Sequence, residues 1–201
     1  IRLSLVGSEM CIRDSMLVVT AIVSLFIRLM PHIPNLTPIG AMCLFAGAYI
    51  SHRKLAILLP LLALFIGDLV LHISYLQGFR EFAGFYDSMY INYIAFAVMV
   101  LIARFGLNNK VNKTNWFKIP MTTFAASIGF FIISNFGVWL TSTIMYIPKN
   151  FATLVECYIA AIPFFWTFLA ADLGYTAVLF ASFFWLKKYF FVAENEVATN
   201  S

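Results

Sequence analysis

The sequence predicts an all-α membrane protein with six transmembrane helices. Of its 201 residues, 62% are hydrophobic and 11% are charged, whereas a soluble domain is about half apolar and about a quarter charged. Lipid must therefore cover part of the surface. The apolar runs are long and lack the two-residue alternation that is typical of strands, and turn or charge signals separate them.

The first fifteen residues, 1–15, are expected to be foreign to the protein. The stretch LVGSEMCIRDS within them resembles the translated read-through of a sequencing adapter. A secretory signal is the competing explanation, but Glu9, Arg13 and Asp14 interrupt the apolar region that such a signal needs. We therefore expect a truncated first helix and assign residues 16–191 to a single six-helix domain.

The first two predicted helices flank a cluster of prolines and polar residues. Helix one is the apolar run Met16–Met30, and helix two is the run Pro38–Ser51, which is rich in small residues. The connection between them, Pro31–Pro38, contains three prolines that end one helix and restrict the loop.

The remaining helices are apolar runs of sufficient length to cross about 30 Å of hydrocarbon. They are Leu55–Tyr75, Ser88–Phe105, Ile119–Thr141 and Ile162–Phe190, bounded by Ser51–Lys54, Gln77–Asp87, Asn108–Lys118 and Pro148–Asn150. A short interfacial helix is expected at Phe151–Ala161, after which Pro163 breaks or kinks the chain. The polar C-terminal tail 192–201 is expected to fray.

The distribution of lysine and arginine predicts the orientation. With six spans, one side of the membrane receives Arg53, Lys54, Arg104, Lys110, Lys113, Lys118, Lys187 and Lys188, and the other receives Arg28, Arg80 and Lys149. The positive-inside rule makes the first side cytoplasmic. We therefore expect a protein of the cytoplasmic (inner) membrane with both termini inside.

Two aspartates, Asp68 and Asp172, fall within predicted spans. Each costs about 2.5–3.5 kcal/mol at the bilayer centre, so neither should face lipid. One explanation is structural, with each carboxylate bonded to hydroxyl groups or arginine of neighbouring helices. The other is that both face a ligand.

Further polar groups gather at the outer ends of the predicted helices. Asn135 and Trp139 are four residues apart and share a helix face. An apolar interior with a few polar groups around its rim is typical of a small-molecule site, although an aromatic belt at the membrane interface would also account for them. The candidate ligand-binding residues are Arg28, His32, Asn35, Thr37, Asp68, Asn135, Trp139, Glu156, Tyr158, Asp172 and Tyr175.

Several function classes lack their sequence signals. Cys11, Cys43 and Cys157 show no metal-ligand spacing. No nucleotide-binding glycine loop, zinc-ligand helix or nucleophile elbow is present. We therefore expect no metal or other cofactor, no enzymatic activity and no nucleic-acid partner. Energy for any transport would come from another chain or from an ion gradient.

Three stretches carry a resemblance to a known family. RLMPHIPNLTPIGAMCLFAGAY, SNFGVW and CYIAAIPFFWTFLAADLGYTAVLF resemble the signature blocks of an uncharacterised bacterial family of small integral-membrane proteins. The match extends over most of Met16–Phe190 and implies no particular activity. More distantly, the length, the six spans and the inside termini resemble the S-components of energy-coupling factor transporters.

The second resemblance implies a subunit that captures a vitamin or a metal near the outer face, with Pro31–Pro38 as its gate. It also implies docking to a transmembrane coupling subunit with ATPases through helices one and two. S-components commonly dock through an alanine-x-x-x-alanine face on helix one. This chain has Thr20-x-x-x-Ser24 or Ala21-x-x-x-Leu25 instead, a departure from that pattern.

These observations together favour uptake of a small molecule held beneath the first outward loop. Arg28 and His32 would bind an anionic or polar head, Asn35, Asn135 and Asp172 would orient it, and Trp139 and Tyr175 would stack on its apolar part. One alternative is a non-catalytic membrane scaffold or assembly protein, whose polar groups serve packing. A third hypothesis is an intramembrane enzyme that uses Asp68 and Asp172 as a pair.

Overall fold

A computed structural model describes residues 2–30, 36–81, 83–86, 88–107 and 116–199, and the side chains of its first and last helices between Met10 and Tyr189. These ranges contain six α-helices and no strand, which confirms the all-helical prediction. The helices are α1 (Arg2–Leu29), α2 (Ile39–Tyr49), α3 (Arg53–Leu76), α4 (Met89–Leu107), α5 (Lys118–Thr141) and α6 (Phe151–Thr199).

Five of the helices are long and apolar enough to cross a membrane. The apolar segments are Met10–Leu29, Arg53–Leu76, Met89–Leu107, Lys118–Thr141 and Phe151–Tyr189. Helix α2 has eleven residues and is about 16 Å long at 1.5 Å per residue, about half the thickness of the hydrocarbon layer. The helices therefore indicate a multi-pass membrane protein with five full-length spans and one shorter apolar helix.

Helix α2 lies at the centre of the bundle. Every residue from Ile39 to Ala48 is buried, and α2 packs against all five other helices. Its small residues allow close approach: a Cβ built on Gly47 would overlap the carbonyl oxygen of Val100 on α4. Because it is enclosed on all sides, α2 is apolar throughout and needs no polar face.

Aromatic side chains fill the core near the C-terminal end of α2. The ring centroids of Phe45 and Phe183 are 5.2 Å apart in an edge-to-face arrangement, and those of Tyr49 and Phe183 are 4.5 Å apart. Phe180 completes the cluster at 5.5 Å from Phe45. These contacts join α2 to α6.

Arginines hold the same end of α2 in place. Arg104 on α4 donates hydrogen bonds to the carbonyl oxygens of Ile50 at 2.9 Å and Ser51 at 2.6 Å. Arg13 on α1 approaches the carbonyl oxygen of Tyr49 at 3.5 Å. Basic residues therefore gather at this end of the bundle, called here the basic end, where α3 also begins.

The first and last helices differ from the prediction. Helix α1 begins at Arg2 instead of Met16, and Ile12 within the added part is buried. Helix α6 is continuous from Phe151 to Thr199, so the separate short helix at Phe151–Ala161 is wrong. Pro163 lies inside this helix, where it removes one backbone hydrogen bond without ending the element. The expected frayed tail is helical through Thr199.

Candidate functional site

A cleft of about 340 Å³ opens at the end of the bundle opposite the basic end. We call it the cleft, and five helices and the connection between α3 and α4 contribute to its lining. Its polar lining residues are Arg28, Thr37, Asp68, Arg80, Tyr86, Asn92 and Tyr93. Its apolar wall consists mainly of Leu64, Leu71, Phe96, Phe130 and Phe168.

An ion pair between α1 and α3 occupies one side of the cleft. The guanidinium of Arg28 donates to Oδ1 of Asp68, and the hydroxyl of Tyr93 on α4 donates to Oδ2 at 2.6 Å. The Asp68 side chain is 7% exposed and that of Arg28 is 16% exposed. Asp68 therefore fits both explanations offered for it. It joins three helices, as the structural explanation requires, and it lines the cleft, as a ligand-facing role requires.

A glycine on α3 makes room for this pair. Gly67 is buried, and a Cβ built on it would lie 3.0 Å from Nη1 of Arg28. Nη1 also donates to the carbonyl oxygen of Leu64 at 3.4 Å. The arginine therefore lies across the surface of α3, with its charge directed at Asp68.

The connection between α3 and α4 folds back over the cleft. It turns at Gly78, whose φ of 77° is in the left-handed region that favours glycine. Further along, Gly84 is buried so closely against α3 that an added Cβ would overlap the carbonyl oxygen of Asp68. Arg80 donates to the carbonyl oxygens of Arg28, at 3.1 Å, and Leu29. A guanidinium at this point also complements the negative end of the α1 dipole.

Tyr86 and Asn92 form a second polar contact at the mouth of the cleft. The side-chain amide of Asn92 donates to the hydroxyl oxygen of Tyr86. Desolvation raises the pKa of Tyr86, and the negative charge of Asp68 adds to the rise, whereas the Asn92 hydrogen bond opposes it. The tyrosine therefore remains protonated at neutral pH and can donate to a ligand.

A second hollow of about 250 Å³ adjoins the cleft. The two share Asn92, Phe130 and Phe168 in their linings. The rings of Phe130 and Phe168 are stacked, with centroids 4.5 Å apart. Asn135 lines the second hollow and donates its amide to the carbonyl oxygen of Phe131 at 2.8 Å. The two hollows thus form one composite space with an aromatic wall.

Asp172 and Tyr175 do not line either hollow. Asp172 is fully buried between α2, α5 and α6, and the hydroxyl of Ser127 donates to its Oδ2 at 2.7 Å. Gly40 on α2 approaches it so closely that an added Cβ would overlap Oδ1. Tyr175 is half-buried and packs against the hydrophobic core. Both residues lie further along α6 than Phe168, the α6 residue in the cleft lining, so the structure does not bring them to the outer site.

Three further candidates fasten α5 to the start of α6 or face outward. Trp139 donates its indole N–H to Oγ1 of Thr153 at 3.2 Å, and Tyr158 donates to the carbonyl oxygen of Ile132 at 2.8 Å. Glu156 is exposed. None of the three lines the cleft or the second hollow. The hydrogen bonds of Trp139 and Tyr158 fit the packing explanation better than ligand contact.

The structure therefore brings together part of the predicted site. Arg28, Thr37 and Asp68 line the cleft, and Asn135 lines the adjoining hollow. His32 and Asn35 lie outside the described residues. The cleft also contains four polar residues that were not predicted, namely Arg80, Tyr86, Asn92 and Tyr93. For Asn92 and Tyr93 the sequence does contain a signal, because they are polar residues near the outer end of an apolar run.

The described residues contain no cluster of metal-ligand side chains and no direct contact between the two intramembrane carboxylates. No group of three or more His, Cys, Asp or Glu side chains lies close enough in the described ranges to hold a metal ion. Asp68 and Asp172 bond to different partners, and no hydrogen bond between the two carboxylates occurs in the described structure. What the geometry offers is non-covalent recognition by guanidinium, hydroxyl and amide groups beside aromatic rings.

Comparison with known proteins gives a family and no activity. Searches among curated proteins and among solved structures found no match. A model of the family of unknown function DUF6580 matches residues 9–195, which is nearly the whole chain. This match confirms the resemblance to an uncharacterised family, and the chain belongs to DUF6580.

Proposed function

We propose that this chain is an integral-membrane protein that captures and takes up a small molecule at the outer face of the cytoplasmic membrane. The observation that carries the proposal is the cleft, in which charged and hydroxyl groups stand opposite aromatic rings. Ligand sites typically have volumes of about 300–1,000 Å³ and combine an apolar wall with a few polar groups. The cleft and the second hollow together meet this description.

The polar lining favours a ligand with an anionic or strongly polar head. The described lining contains two arginines, Arg28 and Arg80, and one carboxylate, Asp68. Asp68 is already paired with Arg28, whereas the contacts of Arg80 are to backbone carbonyl oxygens. A guanidinium binds a carboxylate or phosphate well because its donors match the two acceptor oxygens.

The apolar lining favours a flat or apolar body on the same ligand. Phe96, Phe130 and Phe168 form adjoining rings, and the centroids of Phe96 and Phe130 are 4.6 Å apart. Asn92 and Asn135 provide amide groups beside this wall. A vitamin-like molecule, with an anionic group on an aromatic or aliphatic frame, fits this combination.

The proposal includes six membrane segments, with α2 as a short sixth one, and both termini in the cytoplasm. The support is the basic end, where Arg53, Lys54 and Arg104 lie, because such residues favour the cytoplasmic side. The cleft would then open outward. Thr37 lines it immediately before α2.

An S-component-like coupling to a partner is a further part of the proposal, with one change to the docking surface. Thr20 and Ser24 are buried within the chain's own bundle, and so is α2. A transmembrane coupling subunit would therefore contact the outward face of α1. Val18, Ile22 and Phe26 are between 49% and 58% exposed there.

Native mass spectrometry of the detergent-purified protein tests the uptake proposal. We expect a small molecule to remain bound to the wild-type chain and to be lost from the Arg80→Gln variant. Loss of a hydrogen bond to a charged group, about 1.5–3 kcal/mol, weakens binding by about 10- to 100-fold. Lys149→Gln is the matched control, because it removes a positive charge from the same end of the bundle, outside the cleft.

The scaffold hypothesis predicts a different outcome of the same experiment. The wild-type chain would carry no small molecule and would copurify with a stable membrane complex. Equal retention of the bound molecule by Arg80→Gln and Lys149→Gln would instead show that the ligand lies elsewhere.

A further inference from the structure

Asp172 is a buried carboxylate that lacks a charged partner. It is 0% exposed, and its only hydrogen bond in the described structure is with Ser127. Oδ1 has no hydrogen-bond partner among the described residues. Asp68 provides the contrast, since both of its oxygens have partners and one of these is an arginine.

The groups around Asp172 can partly stabilise a negative charge on its carboxylate, but none of those described here carries a full positive charge. Helix α2 begins beside it and has no side-chain cap, so the positive end of a helix dipole faces the carboxylate. The thiol of Cys43 on α2 lies close enough to Asp172 for an electrostatic interaction, and α5 contributes the uncharged hydroxyl of Ser127. An unpaired charge buried in this way costs several kcal/mol, and binding a proton removes that cost.

Asp172 also lies between two hollows. On α6, Phe168 is one turn before it and lines the cleft, and Thr176 is one turn after it and lines a third hollow of about 370 Å³. On α5, Phe130 and Thr123 line the same two hollows on either side of Ser127. Four residues of helix rise about 6 Å, so the carboxylate is about one helical turn from each hollow.

The third hollow provides a hydroxyl on the route toward the basic end. Thr176 is 1% exposed, and its Oγ1 has no hydrogen-bond partner in the described part of the chain. It lies on the same face of α6 as Asp172. A buried hydroxyl without a partner is uncommon and can accept a proton and donate another.

We propose that Asp172 is a proton-binding site that exchanges between the cleft and the third hollow. A hydronium ion in the cleft transfers a proton to the carboxylate and leaves as water, so that an O–H bond forms on Asp172. This bond breaks when the proton passes to Oγ1 of Thr176, which gives up its own hydroxyl proton to water in the third hollow. Ionisable groups inside membrane bundles commonly carry protons in this manner. The binding of a proton by Asp172 does not depend on the proposed function, whereas the use of that proton to drive uptake rests on it.

Infrared difference spectroscopy of the full-length chain in liposomes tests this site without any ligand. We expect the C=O stretching band of a protonated carboxylic acid at neutral pH and its reversible loss as the pH is raised. The band should be absent from Asp172→Asn and retained in Asp68→Asn, because Asp68 is ion-paired. Ser127→Ala should shift the band, since it removes the one hydrogen bond to the carboxyl group.

Two results would overturn the inference. One is a band that survives Asp172→Asn. The other is a band that stays unchanged at every pH at which the helix content is intact, which would make Asp172 a fixed structural acid. Failure of the uptake proposal looks different, because it would leave the infrared band in place while no small molecule is retained in mass spectrometry.

Discussion

Replacing Arg28 by methionine should destabilise the protein by about 3–5 kcal/mol, because it leaves the Asp68 carboxylate buried without its cation. The Asp68 side chain is 7% exposed, so water replaces little of the lost interaction. Tyr93 keeps its hydrogen bond, but a single hydroxyl contributes only about 1.5–3 kcal/mol to a charged group. The assay is the free energy of unfolding in mixed detergent micelles, followed by circular dichroism.

Arg13 supplies a matched control on the same helix. Its side chain is 18% exposed, close to the 16% of Arg28, but its partner Asp14 is 59% exposed. Exposed ion pairs are worth about 0–1 kcal/mol, and the contact of Arg13 with the carbonyl oxygen of Tyr49 is long and weak at 3.5 Å. Arg13→Met should therefore change the free energy of unfolding by no more than about 1 kcal/mol. If both substitutions had the same small effect, the buried-pair reasoning would be refuted.

The double variant Arg28→Met/Asp68→Leu separates the energy of the pair from the cost of an unpaired charge. Replacing a buried ion pair by apolar residues of similar volume is often neutral or stabilising. We therefore expect it to recover most of the stability that Arg28→Met loses. If the double variant were less stable than the single one, packing around the arginine would be the dominant contribution.

Four further substitutions test other contacts. Gly40→Ala should destabilise the bundle, because the added Cβ would overlap the buried carboxylate of Asp172 on α6. Gly174→Ala is the control and should be neutral or slightly stabilising, because no atom lies within 4 Å of the added Cβ. Thermal unfolding measures both effects. Gly84→Ala should detach the connection from α3 and reduce small-molecule retention in native mass spectrometry, and wild-type retention would argue against the folded-back connection. Phe45→Ala should lower the free energy of unfolding by about 3–5 kcal/mol, because the side chain of Phe45 is fully buried among three other rings. A loss below about 1 kcal/mol would contradict that packing.

The helix boundaries were predictable where hydropathy and charge change together. Helix α5 was predicted from Ile119 to Thr141 and is found from Lys118 to Thr141, because a charged stretch precedes it and serines and threonines follow. Local signals failed at Pro163, since the loss of one backbone hydrogen bond does not outweigh the packing of a long helix.

The site was predictable only in part, because periodicity identifies the faces of a helix and not its neighbours. An aspartate within an apolar run requires a partner, but nothing in the sequence indicates that Asp68 meets Arg28 and Tyr93 while Asp172 meets Ser127. The contribution of Arg80 depends on a connection that folds back through Gly84, a tertiary feature without a local sequence signal.

The enclosure of α2 has a consequence for biogenesis. A segment of about half the bilayer thickness, surrounded by five neighbours, has nowhere stable to reside while the chain is only partly synthesised. Three of its packing partners, α4, α5 and α6, follow it in the chain, so α2 can reach its final packed position only after they have entered the membrane. Truncation after α3 would thus leave no folded fragment, and this protein would mature as one indivisible unit.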